Sequence, residues 1–140
     1  MPITTTATTT LTYDWAALLG RILLAILFII SGFNKIGGFE GTAGYIASKG
    51  LPVPQVLTAL TILIELGGGI LLVVGFKARW AAIAIAAFTI IASFIFHAYW
   101  AVPPAERMMQ YLSFWKNITI VGGLLMVFAF GPGRYSIDKR

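Results

Sequence analysis

The chain has 140 residues, of which 59% are hydrophobic, 14% aromatic and only 11% charged, where an ordinary soluble domain carries about 25% charged residues. A mean hydropathy of +0.89 excludes a soluble globular enzyme and a disordered protein, and it identifies a small integral membrane protein. The net charge of +5 rests on ten Lys and Arg spread singly between apolar runs, which makes no basic stripe for a nucleic acid.

Residues 1–14 form a Thr-rich tail, expected as a short disordered leader; without a basic n-region it does not read as a cleaved signal peptide. Four segments then satisfy the roughly 20 apolar residues that a spanning helix needs. They run from Trp15 to Phe33, Gln55 to Phe76, Trp80 to Trp100 and Tyr111 to Phe130. Gly37-Gly38, Gly50, Pro52 and Pro54 break the first connection, Gly75 through Arg79 makes a tight second, and Pro103-Pro104 with Glu106 and Arg107 marks the third. Residues 39–50 are too short to span and read as an amphipathic half-helix on the membrane face. Gly131-Pro132-Gly133 stops the last helix, leaving a tail over 134–140. The expected fold is therefore an all-α, four-helix membrane bundle over residues 15–133. Lys77, Arg79, Arg134, Lys139 and Arg140 on one side outnumber Lys35, Lys49, Arg107 and Lys116 on the other, so both termini are expected in the cytoplasm.

Within a span the information lies in the polar exceptions, because a charge near the bilayer centre costs about 2.5–3.5 kcal/mol even on lenient scales. Glu65 falls near the midplane of the second span, sharing a face with Thr58, Thr61, Gly68 and Gly69. It reads either as a carboxyl hydrogen-bonded to a neighbouring helix or as a ligand-binding or proton-relay group. Arg21, counted from the helix ends, comes within reach of Glu65, and a buried Arg21–Glu65 pair is expected. Gly67-Gly68-Gly69 and Gly122-Gly123 read as close-packing positions.

Thr89, Ser93 and His97 share a face of the third span. Lys35 closes helix one at a similar depth, and Trp115, Lys116 and Asn117 open helix four there, with Tyr99 and Trp100 beside His97. Lys, His and Asn offer donors and Trp offers flat walls, which suits a ring bearing carbonyl oxygens. The alternative is an interfacial aromatic belt with snorkelling lysines. No catalytic residue stands out: there is no Walker motif, no Ser-His-Asp set and no paired carboxylates. With no Cys and one His, no metal or haem cofactor is expected.

The segments GRILLAILFIISGFNKIGGF (20–39), KGLPVP (49–54), LLVVGFKAR (71–79), HAYW (97–100), FWKNITIVGG (114–123) and the closing GPGRYSIDKR (131–140), with Glu65 between them, resemble the DoxX family of small four-helix membrane proteins, nearest its bacterial inner-membrane branch. The resemblance implies a redox-associated subunit in the bacterial inner membrane, with quinone or quinol as the cofactor. Its polar set maps onto Arg21, Lys35, Glu65, His97, Lys116 and Asn117, with Ser136 and Asp138 in the tail. In this reading the cofactor site takes Arg21 and Glu65 as its buried polar core, Lys35, His97, Lys116 and Asn117 as hydrogen-bonding partners of the head group, and Trp100 and Trp115 as walls. Lipid, other membrane redox subunits or a second copy of the chain are the implied partners. The rival readings are a non-enzymatic assembly subunit and, behind it, a small-molecule transporter.

Overall fold

The computed structural model describes the backbone of residues 7–139 and the side chains of residues 13–139. Among these residues there is no strand, and the helices follow in the order α1 (Ala7–Gly37), α2 (Phe39–Ser48), α3 (Pro54–Ile62), a π-helical turn (Leu63–Gly67), α4 (Gly68–Val74), α5 (Ala78–Phe96) and α6 (Pro104–Phe130). A 3₁₀ turn, Tyr99–Ala101, links α5 to α6. The expected all-α membrane bundle is what the chain forms: Tyr13–Gly37, Pro54–Val74, Ala78–Ala101 and Pro104–Phe130 are each long and apolar enough to cross a bilayer.

Two boundaries differ from the sequence reading. Helix α1 starts at Ala7, inside the stretch read as a disordered tail; residues 1–6 lie outside the described residues. Helix α6 starts at Pro104, so the Pro-Pro-Ala-Glu-Arg stretch taken for a loop is its first turn. Pro at the first helical position lacks only an N–H that has no helical partner, and Glu106 suits the positive end of the helix dipole. The short helix expected over 39–50 forms at Phe39–Ser48 although Gly41 and Gly44 weaken it locally, because Ala43 and Ile46 are buried.

Each span touches two neighbours: α1 packs against α4 and α6, and α5 packs against the same two helices. The core between them is small-residue rich, with Ala25 and Leu72 against Ala82, Ile85 and Leu124, all essentially inaccessible. Larger apolar side chains such as Leu23, Phe33, Leu63 and Ile91 point outward, as a lipid-facing surface requires. Glycines set the α1–α4 approach. A Cβ on Gly32 would lie 2.8 Å from the Leu66 backbone nitrogen, and one on Gly69 would lie 2.7 Å from Ile29 Cγ1. Gly68 and Gly123 likewise meet Ile85 and Leu24, whereas Gly67 meets only its own helix and Gly122 faces open space. A Gly32→Ala variant should therefore lose about 1–3 kcal/mol by overpacking. Gly122→Ala should stay within about 0.5 kcal/mol of wild type, the pair being compared by thermal unfolding in detergent.

This register has a geometric consequence. With Gly32 level with Leu66, α1 ends at Gly37 roughly opposite Thr61, while α3 continues to Pro54, about 10 Å further at 1.5 Å per residue. Helix α2 lies across this step and packs on α3, roofing the far end of the bundle.

The opposite end is closed by the C-terminal tail. Gly75 ends α4 in the left-handed conformation (φ 70°), and its N–H and that of Phe76 both bond the Leu71 carbonyl. The tail runs back over this turn: Ile137 N–H donates to Val74 O and Asp138 N–H to Gly75 O. Any Cβ at Gly75 would collide with Ser136. Asp138 then accepts from the Lys77 and Ala78 N–H groups, both at 2.9 Å, capping α5 from outside its own segment.

Candidate functional site: a polar cavity beneath helix α2

A cavity of about 280 Å³ lies under the α2 roof. Helix α1 contributes Leu27, Phe28, Ser31 and Lys35, and α2 contributes Thr42, Tyr45 and Ile46. Thr61 and Glu65 come from α3 and the π-turn, α5 supplies Phe88, Thr89, Ala92 and Phe96 with His97 just beyond its end, and α6 supplies Lys116 and Asn117. The volume is near the lower bound of about 300 Å³ for small-molecule pockets, enough for a single ring-sized group.

One ion pair organises its polar side. Lys35 Nζ donates to Glu65 Oε2 at 3.0 Å, to Oε1 at 3.3 Å and to Ser31 Oγ at 2.6 Å. The carboxylate is buried and the ammonium partly so, and each thereby has a compensating charge. Glu65 sits within the π-turn, which widens the helix by one residue per turn and offsets everything beyond it from simple helical spacing.

Across the cavity, α5 and α6 carry a second polar chain. Asn117 Nδ2 donates to Ser93 Oγ at 3.1 Å, and Ser93 Oγ donates to Thr89 O at 2.7 Å. The Thr89 hydroxyl is buried and has no partner among the described residues. His97 lies just past the end of α5; its Nδ1 pairs with Gln110 Oε1 at 2.8 Å, which leaves Nε2 for a second partner.

Five residues singled out from the sequence thus border one cavity: Lys35, Glu65, His97, Lys116 and Asn117. Three do not. Arg21 is not paired with Glu65; its Nη1 donates to Pro132 O at 2.7 Å, and its Nη2 to Tyr135 O at 2.7 Å and Val73 O at 3.3 Å. Gly32, not Arg21, is level with Glu65, so eleven residues of α1, about 16 Å, separate the two. Trp100 and Trp115 stand outside the cavity, half exposed, in an edge-to-face cluster around Phe114 with Tyr99 and Tyr111. The apolar walls are instead Phe28, Phe88, Phe96 and Tyr45, the last stacked on Phe96 at 5.2 Å. Thr42, Tyr45 and Gln110 were not legible as neighbours of the site, because their place depends on how α2 and the start of α6 fold back. Thr61 and Thr89 did carry a signal, lying on the Glu65 and His97 faces.

Comparison with known proteins agrees with this architecture. The family model described as DoxX matches residues 16–98, which covers the first three spans. Inner membrane protein YqjF of Escherichia coli (strain K12) is 42% identical over 126 residues, covering 90% of this chain and 92% of that protein. Inner membrane protein YphA of the same organism is 37% identical over 123 residues, with 88% of each chain covered. A surfeit locus protein 4 homolog of Schizosaccharomyces pombe is 29% identical over 126 residues, but the match takes in only 36% of that longer protein. No solved structure matches. With a family match across more than half its length and relatives alike almost end to end, the chain belongs to the DoxX family.

Proposed function

We propose that this protein is a multi-pass bacterial inner-membrane protein that holds the head group of a quinone or quinol in the cavity beneath α2, as a redox-associated subunit. The observation that carries this reading is a ring-sized cavity bordered by the Lys35–Glu65 pair and lined by Thr89, whose buried hydroxyl has no partner among the described residues. A buried polar group without a partner costs about 1–3 kcal/mol, and a carbonyl-bearing ligand would supply the missing bond once the Thr89 side chain turns toward the cavity. Lys35 and Asn117 offer further donors, and His97 Nε2 offers a further partner for the head group. Phe28, Phe88 and Phe96 exclude water around the ring. Leu27 and Lys116, the exposed lining residues of α1 and α6, leave a side opening consistent with a ligand that arrives through lipid. A quinone would carry the electrons, for which a chain with no Cys and one His has no group of its own.

Protein purified in mild detergent should yield close to one extractable quinone per chain by mass spectrometry. Thr89→Val should weaken quinone affinity about tenfold, the value of one such bond, while leaving the fold intact, read by quinone titration of the delipidated protein. A well-folded wild type free of quinone rejects the reading. The outcome then favours an assembly subunit, for which the exposed Met108, Met109 and Leu112 on the first turns of α6 supply an apolar contact face.

The same proposal sets both termini in the cytoplasm, with Lys77, Arg79, Arg134 and Lys139 as the positive-inside end. A fluorescent-protein fusion after Arg140 should fluoresce and an alkaline phosphatase fusion should be silent; the reverse pattern inverts the orientation.

A further inference from the structure

A second, separate groove of about 600 Å³ opens at the end of the bundle that holds the C-terminal tail, between the start of α5 and the end of α6. Lys77, Arg79 and Asp138 form its charged rim, and Trp80, Phe128 and Pro132 line its apolar part. Asp138 is engaged: its two oxygens accept the Lys77 and Ala78 N–H groups and offset the positive end of α5. Lys77 and Arg79 are exposed and make no ion pair among the described residues; the Lys77 ammonium lies only over the Phe76 ring at 5.7 Å. Lys77 is held at φ 47°, a left-handed conformation that the tail contacts lock in place beside the groove.

Lys77 is the N-cap of α5 and Arg79 lies in its first turn next to Trp80, which is 70% exposed, while Phe128 lies within the last turn of α6. Exposed tryptophan at a span end marks the head-group level. A cation pair at that level beside an apolar trough matches an anion joined to hydrocarbon, with phosphate as the shared chemistry. Basic pockets between spanning helices bind anionic lipid head groups by this arrangement. We propose that this groove is a binding site for an anionic glycerophospholipid, its phosphate held between Lys77 and Arg79 and its acyl region against Trp80 and Phe128.

The test is lipid retention, read by native mass spectrometry on full-length protein taken from mixed micelles of phosphatidylglycerol and phosphatidylethanolamine. Wild type should retain phosphatidylglycerol in preference. A Lys77→Asn/Arg79→Gln double variant keeps a residue that tolerates positive φ at position 77. It should retain about 25-fold less, about fivefold for each cation near a membrane surface. An Arg134→Gln/Lys139→Gln variant removes the same charge from the same end outside the groove and should retain lipid as wild type does. Should the first double variant fail to fold, Trp80→Glu places a negative charge in the groove without touching Lys77 and should abolish retention. Equal losses in the two double variants, or no preference for phosphatidylglycerol in wild type, overturn the proposal. Inorganic phosphate displacing the lipid at equal concentration also overturns it, since the ligand would then be the free anion.

Discussion

A Lys35→Met variant is expected to lose about 3–5 kcal/mol of stability, because it leaves the Glu65 carboxylate buried in the bundle without its counter-charge. Glu65→Leu should cost less, since the Lys35 ammonium is a quarter exposed and keeps its bond to Ser31. The double variant Lys35→Met/Glu65→Leu should recover most of the loss, as apolar replacement of a buried pair is often neutral. Denaturant titration of the four proteins in a mutant cycle reads the coupling directly. Additive losses, with no recovery in the double variant, would show that the pair does not act as a unit. Quinone occupancy measured on the same four proteins separates stability from binding: the double variant should be stable and empty.

Arg21→Met is expected to release the C-terminal tail. Arg21 is 2% exposed and bonds three carbonyls, two of them, Pro132 and Tyr135, in the tail itself. A hydrogen bond to a charged group contributes about 1.5–3 kcal/mol, and freed tail carbonyls regain water, so a net loss of about 2–4 kcal/mol is expected. Limited trypsin digestion should cut after Arg134 and Lys139 many times faster than in wild type. An unchanged digestion rate would mean that the Gly75–Asp138 contacts suffice to hold the tail. Asp138→Ala should show the same behaviour more weakly, about 0.5–2 kcal/mol, as the loss of a helix cap.

These two sites also mark what was and was not legible beforehand. Lys35, Glu65, His97, Lys116 and Asn117 stood out because a polar residue in an apolar span must be accommodated, and the cavity they border accommodates them. Counting from helix ends failed for Arg21. The count set the start of α1 at Trp15, whereas the glycine contacts at Gly32 and Gly69 fix a register in which Arg21 lies beside Val73. Trp100 and Trp115 were misread as walls because their depth was right while their direction was not. Once α5 ends at Phe96, the following turn carries Trp100 out of the helical face that holds Thr89 and Ser93.

The amino-acid sequence by itself determined that this chain lives in a membrane, crosses it four times and carries a few costly polar groups at stated depths. Those properties follow from transfer free energies and helix period, which act residue by residue. Only the tertiary structure decided which polar groups meet, that α2 roofs the cavity and that the tail seals the other end on Arg21 and Gly75. Such choices depend on helix register and close approach, which in lipid are set by small residues packing across the chain and not by hydrophobicity along it.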